Sequence, residues 1–179
     1  MSLFPSSNAP VLSRGDEGTE CLLEVVDLDV VLPGRQGQLR PVTGVSFAIQ
    51  RGETFALLGE SGCGKSMTAL AINRLLPSGG AIASGDVRFE GRSLPDLPEL
   101  GMRGVRGGGI GMIFQEPATS LNPVLSVETQ IAEVLALHRG LAGKPAREEA
   151  CRLLQAVGIP DPARRLEHIF ALDRAVEWA

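Results

Sequence analysis

Apolar residues form short stretches in the first half of the chain, and their spacing predicts strands followed by a helix. Partial alternation of apolar and polar residues at 22–32 predicts one or two strands of a half-exposed sheet, and residues 42–50 predict another strand. The continuous apolar run at 54–58 predicts a buried strand, and residues 67–76 predict a helix that stops at Pro77. A strand, a short glycine-rich loop and a helix therefore follow one another at residues 54–76.

The middle of the chain contains shorter elements. Residues 85–94 predict a short strand and a tight turn, and the five glycines of residues 101–109 predict a loop. That loop leads into residues 110–114, a compact apolar stretch that predicts a strand.

The last third predicts helices. Ser126 is a suitable N-cap residue for a helix, and residues 146–157 predict an amphipathic helix that ends at Gly158. The first of these helices is expected to pack through four apolar side chains, those of Val127, Ile131, Val134 and Leu135.

Composition narrows the class of protein. A length of 179 residues fits one domain with a real core, and a net charge of −4 argues against a general nucleic-acid binder. One Trp and no Tyr leave little material for stacking on nucleic-acid bases. Three widely spaced cysteines suit a reducing cytosol better than a disulfide scaffold.

The distribution of apolar residues indicates whether the chain could span a membrane. No apolar stretch reaches the ~18–20 residues of a membrane span, and the N-terminus lacks the pattern of a signal peptide. Residues 1–20 are rich in Ser, Pro, Gly and charge and predict a flexible tail. If the protein serves a membrane, we expect it to do so as a peripheral subunit.

The most informative chemistry lies in the loop between the predicted strand 54–58 and its helix. Residues 59–66 read G-x-x-x-x-G-K-S, the phosphate-binding loop of P-loop nucleotidases. Glycines let backbone N–H groups cradle phosphate oxygens, Lys65 would place a cation on the β- and γ-phosphates, and the Ser66 hydroxyl can bind Mg²⁺. The alternative is a glycine-rich turn that precedes Lys-Ser by chance. The predicted nucleotide-binding residues are Gly59, Glu60, Ser61, Gly62, Cys63, Gly64, Lys65, Ser66 and Met67.

Gln115 is a second candidate, placed at the end of the predicted strand 110–114. Its carboxamide could reach a metal ion or a water molecule near the γ-phosphate. Taken alone this signal is weak, because most glutamines in loops are simply solvent-exposed.

Two stretches together resemble a known family. Residues 59–66 and residues 112–123, which read Met-Ile-Phe-Gln-Glu-Pro-Ala-Thr-Ser-Leu-Asn-Pro, resemble the ATP-binding subunits of ABC transporters. The likeness is strongest to importers of oligopeptides, dipeptides, glutathione and nickel complexes, and covers about residues 22–168. It implies an α/β P-loop nucleotidase (ABC ATPase) fold that is incomplete, with an N-terminal antiparallel β part and the start of a helical subdomain from about residue 118.

The resemblance also implies a role for each part. Gln115 would be the Q-loop glutamine that contacts Mg²⁺ or the attacking water, so Lys65 and Gln115 would be catalytic and Ser66 and Gln115 would bind metal. ATP and Mg²⁺ would be the cofactors. The partners would be membrane-spanning permease subunits and a second ATP-binding subunit, as a homo- or heterodimer, and nucleic acid would not be one. The location would be peripheral, on the cytoplasmic side of the inner membrane.

The chain departs from the family pattern in two places. The family stacks adenine on an aromatic side chain where this chain has Leu32 or Val31, so we expect weaker or less selective binding of the base. Residues 169–179 do not continue into the signature motif or the Asp-Glu strand, and a frameshifted reading frame is one hypothesis for this atypical tail. We therefore expect a truncated form that binds nucleotide but hydrolyses it poorly.

Three alternatives stay open at the level of sequence. The first is another P-loop enzyme, such as a small-molecule kinase or a GTPase, although the Asn-Lys-x-Asp motif of guanine readers is missing. The others are a non-catalytic fragment that docks on the membrane partner and a pseudogene product.

Overall fold

The computed structural model describes residues 20–34, 37–114 and 121–168. The chain divides into two compact units, Met1–Met102 and Arg103–Ala179. The elements in chain order are strands β1 (Cys21–Gly34) and β2 (Gly37–Gln50), helix α1 (Lys65–Ile72), strands β3 (Ala81–Phe89) and β4 (Arg92–Ser93), and helices α2 (Glu99–Val105), α3 (Val127–Arg139), α4 (Lys144–Ala156) and α5 (Pro162–Leu166).

The first unit contains a four-stranded antiparallel sheet in the order β2-β1-β3-β4. Val25 of β1 lies opposite Phe47 on one side and Val87 on the other, so apolar side chains line up across the sheet. The core side chains Val25, Leu28, Val30 and Val87 are at most 1% exposed. The strands predicted at 22–32, 42–50 and 85–94 are confirmed. Strands β1 and β2 extend beyond the predicted bounds and pair with each other as an antiparallel hairpin.

Asp29 joins the three long strands of this sheet. Its carboxylate accepts hydrogen bonds from the Gly44 amide and the Ser84 hydroxyl, both at 2.8 Å, and Arg40 lies nearby. The hydrogen bond from Ser84, followed by that from Gly44, lowers the pKa of Asp29 below its ordinary value. The register of β1 against both neighbouring strands shifts beside Asp29. The Asp29 carboxylate therefore accepts hydrogen bonds from groups that do not pair within the regular ladder.

Two predicted strands are wrong. Residues 54–58 form no strand and are exposed, with Leu58 at 88%, and residues 110–114 form only a single bridge from Ile110 to Arg106. Within the described ranges neither stretch has neighbouring strands on both sides. An apolar run becomes a buried strand only when such neighbours cover it.

The predicted helix 67–76 is present but shorter, since α1 ends at Ile72 and Arg74 adopts a left-handed conformation with φ of 51°. The predicted loop at 101–109 is wrong in its first part. Residues Glu99–Val105 form α2, in which Met102 is fully buried, and only the glycines that follow Val105 make a turn.

The second unit is built from α3, α4 and α5. Ser126 caps α3 as predicted, because its hydroxyl accepts a hydrogen bond from the Thr129 amide at 3.2 Å. Val127 and Ile131 pack on the core, whereas Val134 is 54% exposed, so the predicted inward position of Val134 is wrong. The helix predicted at 146–157 is α4. The shared core consists of Leu135, Ala146, Ala150, Leu154 and Leu166.

Charged side chains tie these three helices together. Arg147 on α4 pairs with Glu128 on α3 and, at 2.7 Å, with Glu167 at the end of α5. Glu149 accepts hydrogen bonds from Arg152 and Arg139, and these lower the pKa of Glu149 to about 2. In the part of the chain that the structure describes, no helix is long and apolar enough to cross a membrane.

Candidate functional site

The glycine-rich loop at 59–64 leads directly into α1. Gly64 is the N-cap residue of that helix, with φ of 94°, and no side chain caps the first turn. The first turn also contains no acidic residue. The backbone N–H groups at this end and the positive end of the helix dipole therefore favour an anion.

Lys65 folds back over the loop. Its ammonium group donates hydrogen bonds to the carbonyl oxygens of Gly59 at 2.8 Å and Glu60 at 2.7 Å, and lies 3.3 Å from the thiol of Cys63. Two backbone carbonyl oxygens thus hold the ammonium group beside the loop. When Lys65 turns towards a phosphate oxygen, water molecules can donate hydrogen bonds to these carbonyl oxygens instead.

At two of the loop glycines an added side chain would meet a close neighbour. A Cβ atom on Gly59 would lie 2.5 Å from the sulfur of Cys63, and one on Gly64 would overlap the Pro41 carbonyl oxygen and lie 3.2 Å from Val42. The positive φ of Gly64 is also unfavourable for a residue with a side chain. The loop therefore depends on glycine at position 64, where the obstacle is the backbone of strand β2, whereas at Gly59 the obstacle is the Cys63 side chain, which can turn away.

The donor set fits Mg²⁺ bound together with phosphates. Ser66 is exposed in the first turn of α1, next to Lys65. The described residues contain no group of three or more His, Cys, Asp or Glu side chains that could hold a metal ion. A single hydroxyl beside a phosphate cradle suits Mg²⁺, which keeps several waters and takes other oxygens from the substrate.

Gln115, the second predicted metal and catalytic residue, lies outside the described residues. Leu32, the predicted neighbour of the base, lies opposite Leu39 near the end of the β1–β2 hairpin, and Leu39 is 60% exposed. The same hairpin contains Pro41, which contacts the phosphate loop. The exposed side chain of Leu39 therefore lies two residues before Pro41, the residue that contacts the phosphate-binding loop at Gly64.

Sequence reasoning missed Pro41 and Val42 as supports of the loop. The only indication in the sequence was Gly64 itself, because a glycine allows another backbone segment to approach closely. The approaching strand was not identifiable without the fold. Phe55 in the stretch before the loop also stacks on Phe47 of β2, with ring centroids 4.8 Å apart.

The family model described as ABC transporter matches residues 42–172. This range contains the whole glycine-rich loop, Lys65, Ser66 and Gln115.

Curated relatives share close to half of the aligned residues. The dipeptide transport ATP-binding protein DppD of Bacillus subtilis is 46% identical over 149 residues, which are 83% of this chain and 44% of that protein. The oligopeptide transport ATP-binding protein OppD of Salmonella typhimurium is 43% identical over 155 residues, or 87% of this chain and 46% of that protein. The chain thus spans less than half the length of these relatives.

A solved structure has a similar fold at lower identity. The ATP-binding cassette MJ0796, in a dimeric post-hydrolysis state bound to ADP and Pi, aligns with a TM-score of 0.70 and 22% identity over 83% of this chain and 61% of that chain. This similarity supports the fold, an incomplete α/β P-loop cassette with an antiparallel sheet and helices.

Proposed function

Because the chain belongs to the ABC transporter family, we propose that it binds ATP with Mg²⁺ at residues 59–66, as the ATP-binding part of an importer of peptides. The observation that carries the proposal is the loop geometry. The Lys65 ammonium lies against the loop carbonyls, and the uncapped start of α1 adjoins it. Lys65 would neutralise the β- and γ-phosphates, Ser66 would bind Mg²⁺, and Gln115 would complete the metal site. Bound Mg²⁺ would bridge phosphate oxygens and offset their charge.

The binding half of this proposal is tested by titrating Mg-ATP into the chain by calorimetry. The matched variants are Lys65→Ala and Lys144→Ala, which remove one positive charge each, and these are the two lysines of the chain. The Lys144 side chain is 87% exposed and, within the described part of the chain, forms an ion pair only with Glu148 of its own helix at 3.8 Å. We expect Lys65→Ala to weaken binding at least about tenfold, the scale of a lost charge-assisted contact, and Lys144→Ala to leave it unchanged. Equal affinities for the two variants would contradict the proposal.

The substrate class is proposed from the relatives, whose names state dipeptide and oligopeptide transport. We propose that the chain works beside membrane-spanning permease subunits and a second ATP-binding subunit, on the cytoplasmic face of the membrane. Val134 and Leu137 on α3 are 54% and 66% exposed and offer an apolar surface for a permease.

Transport is tested in the source cells. Deletion of the gene should lower uptake of labelled di- and oligopeptides, and the wild-type gene should restore it where the Lys65→Ala gene does not. Unchanged peptide uptake in the deletion strain would contradict the substrate class and leave the calorimetric result standing.

A further inference from the structure

The end of the β1–β2 hairpin presents an exposed leucine on the face of the sheet that adjoins the phosphate-binding loop. Across the two strands, Leu32 lies opposite Leu39 and Val30 lies opposite Val42. Residues two apart on a strand share a face of the sheet, and so do residues that lie opposite each other. All four side chains therefore lie on the same face.

That face meets the loop at Val42. The Cγ2 atom of Val42 would lie 3.2 Å from a Cβ atom on Gly64, the N-cap residue of α1. The pair of Leu32 and the pair of Val30 are two residues apart on β1 and three residues apart on β2, so β2 contains a bulge between them. Two residues of β1 place Leu39 about 7 Å along the ladder from the contact with the loop.

The two leucines differ in what covers them. The Cδ2 atom of Leu32 would lie 2.7 Å from a Cβ atom on Gly80, so the turn before β3 packs against Leu32. Leu39 touches Gly34 across the hairpin and is still 60% exposed. Leu39 thus keeps apolar area that a group bound at the loop can cover.

We propose that Leu39 is a specificity-determining residue of the nucleotide site, and that its side chain packs on the face of the base. The proposal rests on the proposed function, because phosphates held in the loop direct the rest of the nucleotide along this face. The ribose separates the base from the phosphates, so the base contacts the protein beyond Val42, where Leu39 offers exposed apolar area. An aliphatic side chain gains dispersion energy on either purine and reads no hydrogen-bonding edge.

Calorimetry with the full chain tests this contact by comparing Mg-ATP with magnesium tripolyphosphate, which has the phosphates and no base. Leu39→Ser should weaken Mg-ATP binding about three- to tenfold, because the base loses apolar contact, and leave tripolyphosphate binding within about twofold. Leu39→Met keeps the apolar volume and should stay within about twofold for both ligands. The matched control is Gln38→Ser, at an exposed neighbouring position on the other face of the strand, which should change neither affinity.

Two further measurements address the base itself. Mg-GTP should bind within about threefold of Mg-ATP, and Leu39→Ser should lower both affinities by the same factor, because the contact is with the face of the ring. In chain labelled at the leucine methyl groups, a nuclear Overhauser effect should join the Leu39 methyls to the ring protons of bound ATP.

The outcomes separate this proposal from the proposed function. Equal losses of Mg-ATP and tripolyphosphate binding in Leu39→Ser, or no loss of either, would overturn the role of Leu39 and leave the phosphate site standing. A preference of more than tenfold between Mg-ATP and Mg-GTP would show that hydrogen bonds select the base instead. If Leu39→Ser fails to fold, the absence of the Overhauser effect in the wild type overturns the contact. A wild type that binds neither ligand would overturn the proposed function and this proposal together.

Discussion

Gly62 and Gly64 have similar backbone conformations and different surroundings, which makes them a matched pair for substitution by Ala. Their φ values are 84° and 94°. A Cβ atom on Gly62 would meet nothing within 4 Å, whereas one on Gly64 would overlap the Pro41 carbonyl oxygen. The difference between Gly64→Ala and Gly62→Ala therefore isolates the backbone collision from the strain of positive φ.

Both substitutions should destabilise the fold by about 1–2 kcal/mol, the cost of a left-handed conformation for a residue with a Cβ atom. In Gly64→Ala the obstacle is a backbone carbonyl, so either β2 or the start of α1 must shift. Overpacking of this kind adds about 1–3 kcal/mol. We expect Gly62→Ala to lower the free energy of unfolding by about 1–2 kcal/mol and Gly64→Ala to lower it by about 2–5 kcal/mol.

The measurement is urea unfolding followed by far-UV circular dichroism, with the slope of the transition checked for each variant. A Gly64→Ala protein that fails to fold while Gly62→Ala folds agrees with the expectation. If the two variants lie within about 0.5 kcal/mol of each other, the contact with Pro41 does not constrain the loop and the reasoning is refuted.

Three further changes test other features. Ser126→Ala should cost about 1 kcal/mol in urea unfolding by removing the cap on Thr129, and Ser126→Asp should retain most of it. The pKa of Glu149 is lowered from 4.5 to about 2, first by Arg152, so its contribution to stability is complete above pH 4.5 and is lost as the pH falls towards 2. In Glu149→Gln, acid titration of stability should be flatter in that window; an unaltered slope would argue against the pair. Leu32→Tyr should tighten ATP binding about three- to tenfold by adding a stacking ring, and an unchanged affinity would contradict a role beside the base.

Features set by local chemistry were predictable from the sequence. The glycine-rich loop, the helix that follows it and the Ser126 cap each depend on a few adjacent residues, and all three are present. The strand at 22–32 followed from partial alternation, because one face of an antiparallel sheet is covered, whereas its pairing with β2 was not predicted. Its bulge at Asp29 was not predictable, since it depends on which residues of three strands meet.

Features set by partners distant in sequence were missed. The stretches 54–58 and 110–114 have the composition of buried strands, and no local signal tells whether neighbours cover them. Val134 was assigned to the core because helical periodicity predicts a broad apolar face on α3. Which edge of that face is buried depends on the position of α4.

The contact with Pro41 also affects whether the phosphate-binding loop can be transferred to another protein. The eight residues of the motif do not fix the shape of the loop alone, because Pro41 and Val42 of strand β2 occupy the space beside Gly64. A synthetic peptide of the motif, or the motif inserted into another scaffold, would lack this contact with strand β2. We expect an inserted motif to keep its loop conformation only when the antiparallel hairpin is transferred with it.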